Sequence, residues 1–539
     1  MALPRSARRL LPLALVFVTA AAFWPVVTCD FVDWDDQMTV AGNGRMNPPS
    51  IENTLRYWRA PAMDIYIPLT YTVWEALAKG AQLPEPDEGG FRLNPYVFHL
   101  ANLIVHVLTV LAVYGLLKFL LAQPLPAAVG AMLFAVHPVQ VESVAWVSGM
   151  KDLLCGLFSI LAVWQYAAWA KASGHWRFTL ATMAYVLAML SKPTAMVVPA
   201  IALVLDLAFN RRGLWRSVSA VLPWLVLAIP CVIVAQWAQP APQSWAMSPK
   251  WARPLFATDA LAFYLFKLVW PATLGFDYGR TPKVVLDTGQ AYYTWIFPAV
   301  LAVALCLARR RAPALAAGAA ILVAGLLPVL GLVPFDFQRY SNVADHYLYL
   351  PMLGVALAAA WLVARLNRPG VLIASCILLL ILAGRTWAQA HVWQNTRTLF
   401  AHDLTVNPNS YTSLFRLAAD DLAANRLDES IAEARAGLAV CPDDDQAHHN
   451  LGMALAKLNR IDEAIAEFRE AIRVNPKALR PRRALGDALA YRGRYDEAIE
   501  AYQGVLDRQP NDQYARTAMQ RVLEMRRRKA ATTTTGPSR

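Results

Sequence analysis

The stretch from Arg8 to Asp36 reads RRLLPLALVFVTAAAFWPVVTCDFVDWDD, and an apolar part is followed abruptly by an acidic one. The apolar part, Leu10 to Val27, has about 18 residues, which is long enough to cross a bilayer as a helix. The acidic part carries four aspartates, at positions 30, 33, 35 and 36. Unpartnered carboxylates are costly beside hydrocarbon, so this cluster is a candidate functional site. The alternative is that the acids only mark where the chain leaves the membrane.

The composition indicates a polytopic membrane protein rather than a soluble globular one. Of the 539 residues, 57% are hydrophobic and 16% are charged, and the mean hydropathy is +0.34. The formal net charge of +12 could indicate nucleic-acid binding. However, arginines cluster between apolar runs, as at 211–216 and 309–311. This placement is typical of cytoplasmic loops and disfavours a nucleic-acid partner.

Eleven apolar segments are predicted to span the membrane: 10–28, 96–121, 125–136, 153–170, 177–190, 194–209, 217–236, 292–308, 313–332, 351–366 and 370–387. The basic start of the first run predicts a cytoplasmic N-terminus and favours an uncleaved signal anchor over a cleaved signal peptide. Segment 260–271 is interpreted as a re-entrant or interfacial helix. The outer loops are then 29–95, 137–152, 191–193, 237–291 and 333–350, and the chain after about residue 388 also lies outside.

The C-terminal third has a strict internal period. Pro408, Pro442, Pro476 and Pro510 are each 34 residues apart, and small residues and leucines recur with them. A 34-residue period of this kind is typical of tetratricopeptide (TPR) helix pairs, which stack into a solenoid with a protein-binding groove. We predict an all-α protein: a transmembrane helix bundle over 1–388, then a TPR α-solenoid over 389–527. Its repeats are 409–442, 443–476 and 477–510, its cap is 511–527, and a disordered tail is expected over 528–539.

The loop from 137 to 154 is a second candidate site. It carries His137, Glu142, Lys151 and Asp152 between two spans, although a simple turn needs few charges. Its alternative is an interfacial loop whose charges pair with one another. Lys192, in the tight outer turn 191–193, is expected to have an anionic partner such as a lipid phosphate, unless it only snorkels to headgroups.

The last outer loop adds Arg339, Asp345 and His346 among several tyrosines. Tyrosines at this depth often form an aromatic belt, which does not account for the charges. His99, Asn102 and His106 lie on one face of the second span, where hydrogen bonds to neighbouring helices are the favoured role. No cysteine or histidine pattern with metal-ligand spacing is present in the sequence.

The order of these pieces resembles the TPR-containing membrane O-mannosyltransferases, multi-spanning glycosyltransferases of the GT-C fold, and their bacterial relatives in particular. The resemblance is carried by DWDD at 33–36, YIPLT at 66–70, NPYVFHLANLIVH at 94–106, HPVQVESVAWV at 137–147, LSKP at 190–193 and ADHYLYLP at 344–351. It covers nearly the whole chain. Two departures are Met150 and His346, which stand where relatives commonly have arginine.

The resemblance implies transfer of mannose from a polyprenyl-phosphate sugar to a serine or threonine of a protein held by the repeats. It also implies that Asp35 or Asp36 is the catalytic carboxylate. A base must deprotonate the attacking hydroxyl, and an aspartate can serve. The leaving phosphate needs cations such as Lys151, Lys192 or Arg339. His137, Glu142 and Asp345 are expected to shape the site, with Asp152 and His346 beside them.

The same resemblance implies an integral protein of the bacterial inner membrane, with the repeats on the periplasmic or lumenal side. Beyond the lipid-linked donor no cofactor is implied, and metal dependence stays open. Neither the sugar nor the acceptor protein is specified by the residues themselves. Two alternatives are an O-oligosaccharide ligase, which would have a different fold, and a non-catalytic TPR scaffold. The scaffold does not explain why acids and bases recur in successive outer loops.

Overall fold

A computed structural model of the chain describes residues 4–86, 90–172, 174–210, 212–239 and 249–534. The chain divides into two compact units, Met1–Leu399 and Phe400–Arg539. The division falls eleven residues after the predicted boundary at 388. Regular structure in both units is helical, as the sequence predicts.

The first unit contains sixteen α-helices and the start of a seventeenth within its described residues. They are α1 (Arg5–Phe23), α2 (Ile51–Arg59), α3 (Pro68–Gly80), α4 (Pro95–Leu121), α5 (Pro124–Val136), α6 (Val141–Ala145), α7 (Met150–Ala172), α8 (His175–Ser191), α9 (Val198–Leu205), α10 (Leu214–Ala238), α11 (Arg253–Val269), α12 (Pro282–Asp287), α13 (Ile296–Ala308), α14 (Pro313–Leu326), α15 (Met352–Leu366), α16 (Pro369–Val392) and α17 (Thr396–Val406). Short 3-10 turns connect several of them, including Pro138–Gln140, Val147–Gly149 and Asp345–Leu348.

Each of the eleven predicted spans contains a helix, but not every helix is long enough to cross a bilayer alone. Among the described residues, seven helices meet that length and apolarity: Arg8–Thr28, Pro95–Leu121, Val147–Ala172, Pro193–Asn210, Leu214–Ala238, Gln290–Ala308 and Pro369–Val392. A bent pair, Pro124–Val136 with Pro138–Ala145, adds an eighth if it counts as one span. Pro313–Val329 and Met352–Leu366 are apolar but shorter. The count of eleven therefore stays a prediction.

Glycine allows the central helices to approach closely. Helix α15 packs between α5 and α14. A Cβ on Gly354 would stand 2.1 Å from the carbonyl oxygen of Gly318, and one on Gly130 would stand 2.4 Å from that of Ala356. Small residues at such crossings let helix backbones touch, which is how helices associate in membranes.

The first outer loop folds into a small layer built from α2 and α3. Tyr57 and Tyr71 stack with ring centroids 4.1 Å apart, and Trp74 packs edge-on against Tyr71 at 5.3 Å. The Thr70 hydroxyl donates to the Ser191 carbonyl at 3.0 Å, which ties α3 to the turn before Lys192. This layer shares one apolar core with the start of α7, so it positions the segment after the first span beside the 137–152 loop.

The second unit is a stack of helix pairs with the predicted 34-residue period. Its helices are α18 (Tyr411–Ala423), α19 (Leu427–Val440), α20 (Asp445–Lys457), α21 (Ile461–Val474), α22 (Arg480–Tyr491), α23 (Tyr495–Leu506) and α24 (Gln513–Thr534). Gly452 and Gly486 meet the rings of Phe468 and Tyr502 within each pair, so the repeating small residue accepts an aromatic ring. Helix α24 continues seven residues past the predicted cap, and residues 535–539 lie outside the described residues.

Candidate active site

The two neighbouring aspartates of the acidic cluster occupy very different environments. Asp36 is fully buried. Its Oδ1 accepts hydrogen bonds from the Ser148 backbone N–H at 3.0 Å and the Ser148 hydroxyl at 2.7 Å, and its Oδ2 accepts from the Val32 N–H at 3.2 Å. Burial raises the pKa of Asp36 to about 7, although these hydrogen bonds oppose the shift. Asp36 therefore joins the acidic loop to the 137–152 loop.

Asp35 is partly exposed, and no described residue donates a hydrogen bond to its carboxylate. Burial raises its pKa above the usual aspartate value, while the charges of Lys151 and Arg339 lower it. Trp34 beside it packs on Phe276 and Tyr340, with ring centroids 4.6 and 5.2 Å apart. An available carboxylate with an elevated pKa, flanked by cations and aromatic rings, suits a general base.

Lys151 is a cation without an ionic partner among the described residues. Its ammonium lies 3.9 Å from the centroid of the Trp146 ring, which is close enough for a cation–π interaction. A cation held in this way keeps its positive charge available to a ligand.

Lys192 differs from Lys151 because its charge is neutralised. Its ammonium lies 2.5 Å from Oδ1 of Asp152, and both side chains are about nine-tenths buried. Oδ2 of Asp152 has no hydrogen-bond partner among the described residues. The anionic partner expected for Lys192 is thus a carboxylate of the chain itself. Both residues line a small cavity that also touches His346 and Tyr347.

Glu142 and His346 bring two predicted site loops together. The backbone N–H of His346 donates to Oε2 of Glu142 at 2.9 Å, and the ring Nδ1 of His346 lies 2.7 Å from Oε1 of Glu142. Burial and the charge of Lys192 lower the pKa of His346 well below the usual range. The contact is therefore a hydrogen bond between a neutral imidazole and the carboxyl group of Glu142 rather than an ion pair.

Asp345 is buried and accepts a hydrogen bond from the Tyr278 hydroxyl at 2.8 Å. Burial and the nearby Glu142 carboxylate raise the pKa of Asp345 well above its usual value. The charge of Lys267 on α11 opposes this rise in pKa, and its ammonium donates a hydrogen bond to the carbonyl of Thr273. Lys267 and Tyr278 lie in the 237–291 loop, where the sequence offered no motif to single them out.

Two remaining candidates lie at the margin of this cluster. Arg339 is about two-fifths exposed and pairs with Asp336 at 3.4 Å, although its charge still acts on Asp35. His137 is buried, and its Nε2 lies 3.1 Å from the carbonyl oxygen of Leu268. We therefore assign His137 to holding α11 against the start of the 137–152 loop.

The three polar residues of α4 have the structural role that the sequence favours. Asn102 donates to the carbonyls of Val144 and Trp146 at 3.1 and 2.7 Å. His106 lies 2.9 Å from the Tyr349 hydroxyl, and His99 lies 3.3 Å from the Asp30 carbonyl. Helix α4 thus contacts the acidic segment after the first span, the 137–152 loop and the end of the last outer loop. Across the described residues, no group of three or more His, Cys, Asp or Glu side chains is arranged to hold a metal ion.

Two family signatures match the chain. Residues 93–237 match the family described as dolichyl-phosphate-mannose-protein mannosyltransferase. Residues 415–478, 449–513 and 483–531 match the tetratricopeptide repeat. The first match contains the 137–152 loop and Lys192, and the second covers the helix pairs of the second unit. Among solved structures, MamA protein aligns with 24% of this chain and 70% of its own, at 21% identity and a TM-score of 0.23.

Several curated relatives are similar to the chain. Human protein O-mannosyl-transferase TMTC1 is 25% identical over 67% of this chain and 47% of its own length. Mouse protein O-mannosyl-transferase TMTC3 is 25% identical over 82% of this chain and 52% of its own. The chain thus spans about half the length of these relatives. With the helical bundle, the repeats and both signatures in one chain, this integral membrane protein is similar to the TPR-containing O-mannosyltransferases.

Proposed function

We propose that this chain is a glycosyltransferase that moves mannose from a polyprenyl-phosphate donor to a serine or threonine of a protein. The family descriptions support this reaction class, since the matched signature is that of a dolichyl-phosphate-mannose-protein mannosyltransferase. The observation that carries the proposal is that the charge of Lys151 acts on the carboxylate of Asp35, although the two form no ion pair. Among the described residues no carboxylate forms an ion pair with Lys151, whose ammonium lies on the Trp146 ring.

These two groups suit the two halves of a single displacement. The acceptor hydroxyl oxygen forms a bond to the anomeric carbon, and Asp35 takes the hydroxyl proton. The bond from that carbon to the phosphate oxygen breaks, and its electron pair leaves on the polyprenyl phosphate. Lys151 stabilises the developing negative charge. Because one displacement inverts the attacked carbon, the product has the anomeric configuration opposite to that of the donor.

The other candidates divide into supporting groups. Asp36 fixes the direction of its neighbour by binding Ser148, and we assign it to positioning rather than proton transfer. Among the three candidate cations, Lys151 is the phosphate ligand we propose, because Lys192 pairs with Asp152 and Arg339 with Asp336. Glu142, Asp345 and His346 shape the site through hydrogen bonds between His346 and Glu142 and between Tyr278 and Asp345.

The repeats and the membrane orientation complete the proposal. TPR helix pairs suit a protein partner, which fits a protein acceptor better than a small one. We propose that the N-terminus is cytoplasmic and that the repeats share the outer side with the acidic loop, in a bacterial inner membrane. Reporter fusions after residue 388 test this orientation, and a cytoplasmic signal would refute it.

The reaction is tested in a deletion strain complemented with the wild type or with Asp35→Asn. Mass spectrometry of its envelope proteins should show hexose on defined serine or threonine residues with the wild type. Asp35→Asn should lose it, since a positioned base contributes roughly 10²- to 10⁴-fold. Asp64→Asn, an exposed aspartate of the same loop, is the matched control and should restore the modification. Unchanged hexose in the deletion strain would refute the function, and full modification by Asp35→Asn would refute the base assignment.

A further inference from the structure

Helix α3 carries three buried polar atoms that have no hydrogen-bond partner among the described residues. They are the Tyr71 hydroxyl, Nε1 of Trp74 and Oε1 of Glu75. The three residues lie at i, i+3 and i+4, so they share one face of the helix. All three side chains are about 1% exposed. A buried donor left unpaired is unfavourable, and native proteins rarely keep one without a purpose.

The Tyr71 ring is held rigidly on both sides. It stacks on Tyr57 with an interplanar angle of 5°, and Trp74 packs edge-on against it. Its neighbour Thr70 anchors the start of α3 to the carbonyl of Ser191. The phenol therefore has little freedom to swing toward solvent and find a water partner. Its direction is set by the fold.

The apolar core around Tyr71 brings it near the segment that carries Asp35. Tyr71 shares this core with Phe31 and Val40, which lie on either side of Asp35 in the sequence, and with Met150, which directly precedes Lys151. Burial, the Tyr57 phenol and the Asp35 carboxylate raise the pKa of Tyr71, whereas the Arg45 guanidinium lowers it. The unpartnered phenol of Tyr71 thus lies in the same core as the segment that contains Asp35.

We infer that Tyr71 is a positioning residue of the active site, whose phenol donates a hydrogen bond to Asp35 when substrate is bound. The inference rests on the proposed function, since it assigns Tyr71 a part in that reaction. A donor on one carboxylate oxygen leaves the other oxygen directed at the acceptor hydroxyl. Such a bond also stabilises the ionised form of the base.

Tyr57 supplies a matched control. Its hydroxyl already accepts a hydrogen bond from Nδ2 of Asn43 at 3.2 Å, and it lies on the other ring of the same stack. Tyr57→Phe and Tyr71→Phe each remove one oxygen from this pair of rings. Loss of the Tyr57 hydroxyl, which has a hydrogen-bond partner, should lower the stability of the protein. Loss of the Tyr71 hydroxyl, which has none among the described residues, should lower the rate of the reaction.

The test uses the full-length protein in nanodiscs, radiolabelled polyprenyl-phosphate mannose, and a synthetic peptide containing a serine that the wild type modifies. We expect Tyr71→Phe to lower kcat roughly 10- to 100-fold, the worth of one hydrogen bond to a charged group. Its KM for the donor should stay unchanged, and the acidic limb of its pH profile should move to higher pH. Its melting temperature should equal or exceed that of the wild type, because an unpaired buried group is removed. Tyr57→Phe should keep kcat and the pH limb.

Several outcomes would overturn the inference. An unchanged kcat and pH limb in Tyr71→Phe would show that the phenol does not act on Asp35. A loss of activity that follows a lower melting temperature would assign Tyr71 to packing alone. If the wild type transfers mannose and Asp35→Asn does not, either of these two results for Tyr71→Phe refutes the positioning role of Tyr71 and leaves the proposed function intact. If the wild type transfers none, the proposed function fails and the role of Tyr71 in it fails as well.

Discussion

Replacing Asp36 with asparagine should change stability in a way that depends on pH. The buried carboxylate of Asp36 has a pKa of about 7 in the folded protein, whereas an unfolded aspartate titrates near a pKa of about 3.9. The folded state therefore holds a proton on Asp36 over a pH range in which the unfolded state does not. Asparagine resembles the neutral carboxyl in size and never ionises.

The sign and size follow from this raised pKa. A group whose pKa is raised by folding stabilises most below its unfolded pKa, and this contribution is lost as the pH rises through the folded pKa. Between about pH 8 and about pH 5 the wild type gains about two pKa units, or about 3 kcal/mol, relative to the variant. The first unit ends at Leu399. At about 2.1 cal/mol/K per residue, its melting temperature should therefore shift by roughly 3 to 4 °C.

The assay is thermal unfolding of the purified protein in detergent, followed by tryptophan fluorescence at both pH values. The difference in melting temperature between wild type and Asp36→Asn should shift in favour of the wild type at the lower pH. Asp64→Asn should show no such change, because that aspartate is exposed. A difference that stays constant across the range would refute the buried, proton-binding role of Asp36. Asp36→Asn should also keep measurable transfer, since we assign proton removal to Asp35.

Two further predictions concern other parts of the first unit. Lys151→Met should move the acidic limb of kcat/KM to higher pH, because Asp35 acts as a base only when ionised. Burial raises the pKa of Asp35 and the ammonium of Lys151 lowers it, so removing the ammonium should raise that pKa further. The pH profile measured with labelled donor checks this prediction, and an unmoved limb would contradict it. Gly354→Ala should lower the free energy of unfolding by about 1 to 3 kcal/mol through overpacking, and with it the melting temperature, since its Cβ would stand 2.1 Å from the Gly318 carbonyl oxygen. Gly370→Ala, which has open space, is the control.

Helices and repeats were predictable because their signals are local. An apolar run of sufficient length predicts a span from its own residues, and the prolines from Pro408 to Pro510 reveal the helix pairs through spacing alone. The exact crossing count was not predictable in the same way. Helices such as α15 are short enough that their role depends on neighbours, and only packing shows that α5 and α14 enclose it.

The sequence singled out residues that the structure brings close together, but it could not predict their contacts. Acids beside a span are unexpected, and this argument identified four aspartates as candidates. The family resemblance then narrowed them to Asp35 and Asp36. It left the two equivalent because they are adjacent and chemically identical. Their difference arises from Ser148, a residue 112 positions away that binds one carboxylate and not the other.

The two lysines likewise differ only in their contacts in the folded protein. Lys151 and Lys192 were both candidate phosphate ligands, and composition cannot rank them. The fold brings Asp152 within 2.5 Å of Lys192 and leaves Lys151 on the face of Trp146. The sequence by itself determined that this is a helical membrane protein with a TPR domain and acids at the mouth of its first span. Only the tertiary structure decided which charges are neutralised and which stay available, because pairing depends on distances between residues far apart in the chain.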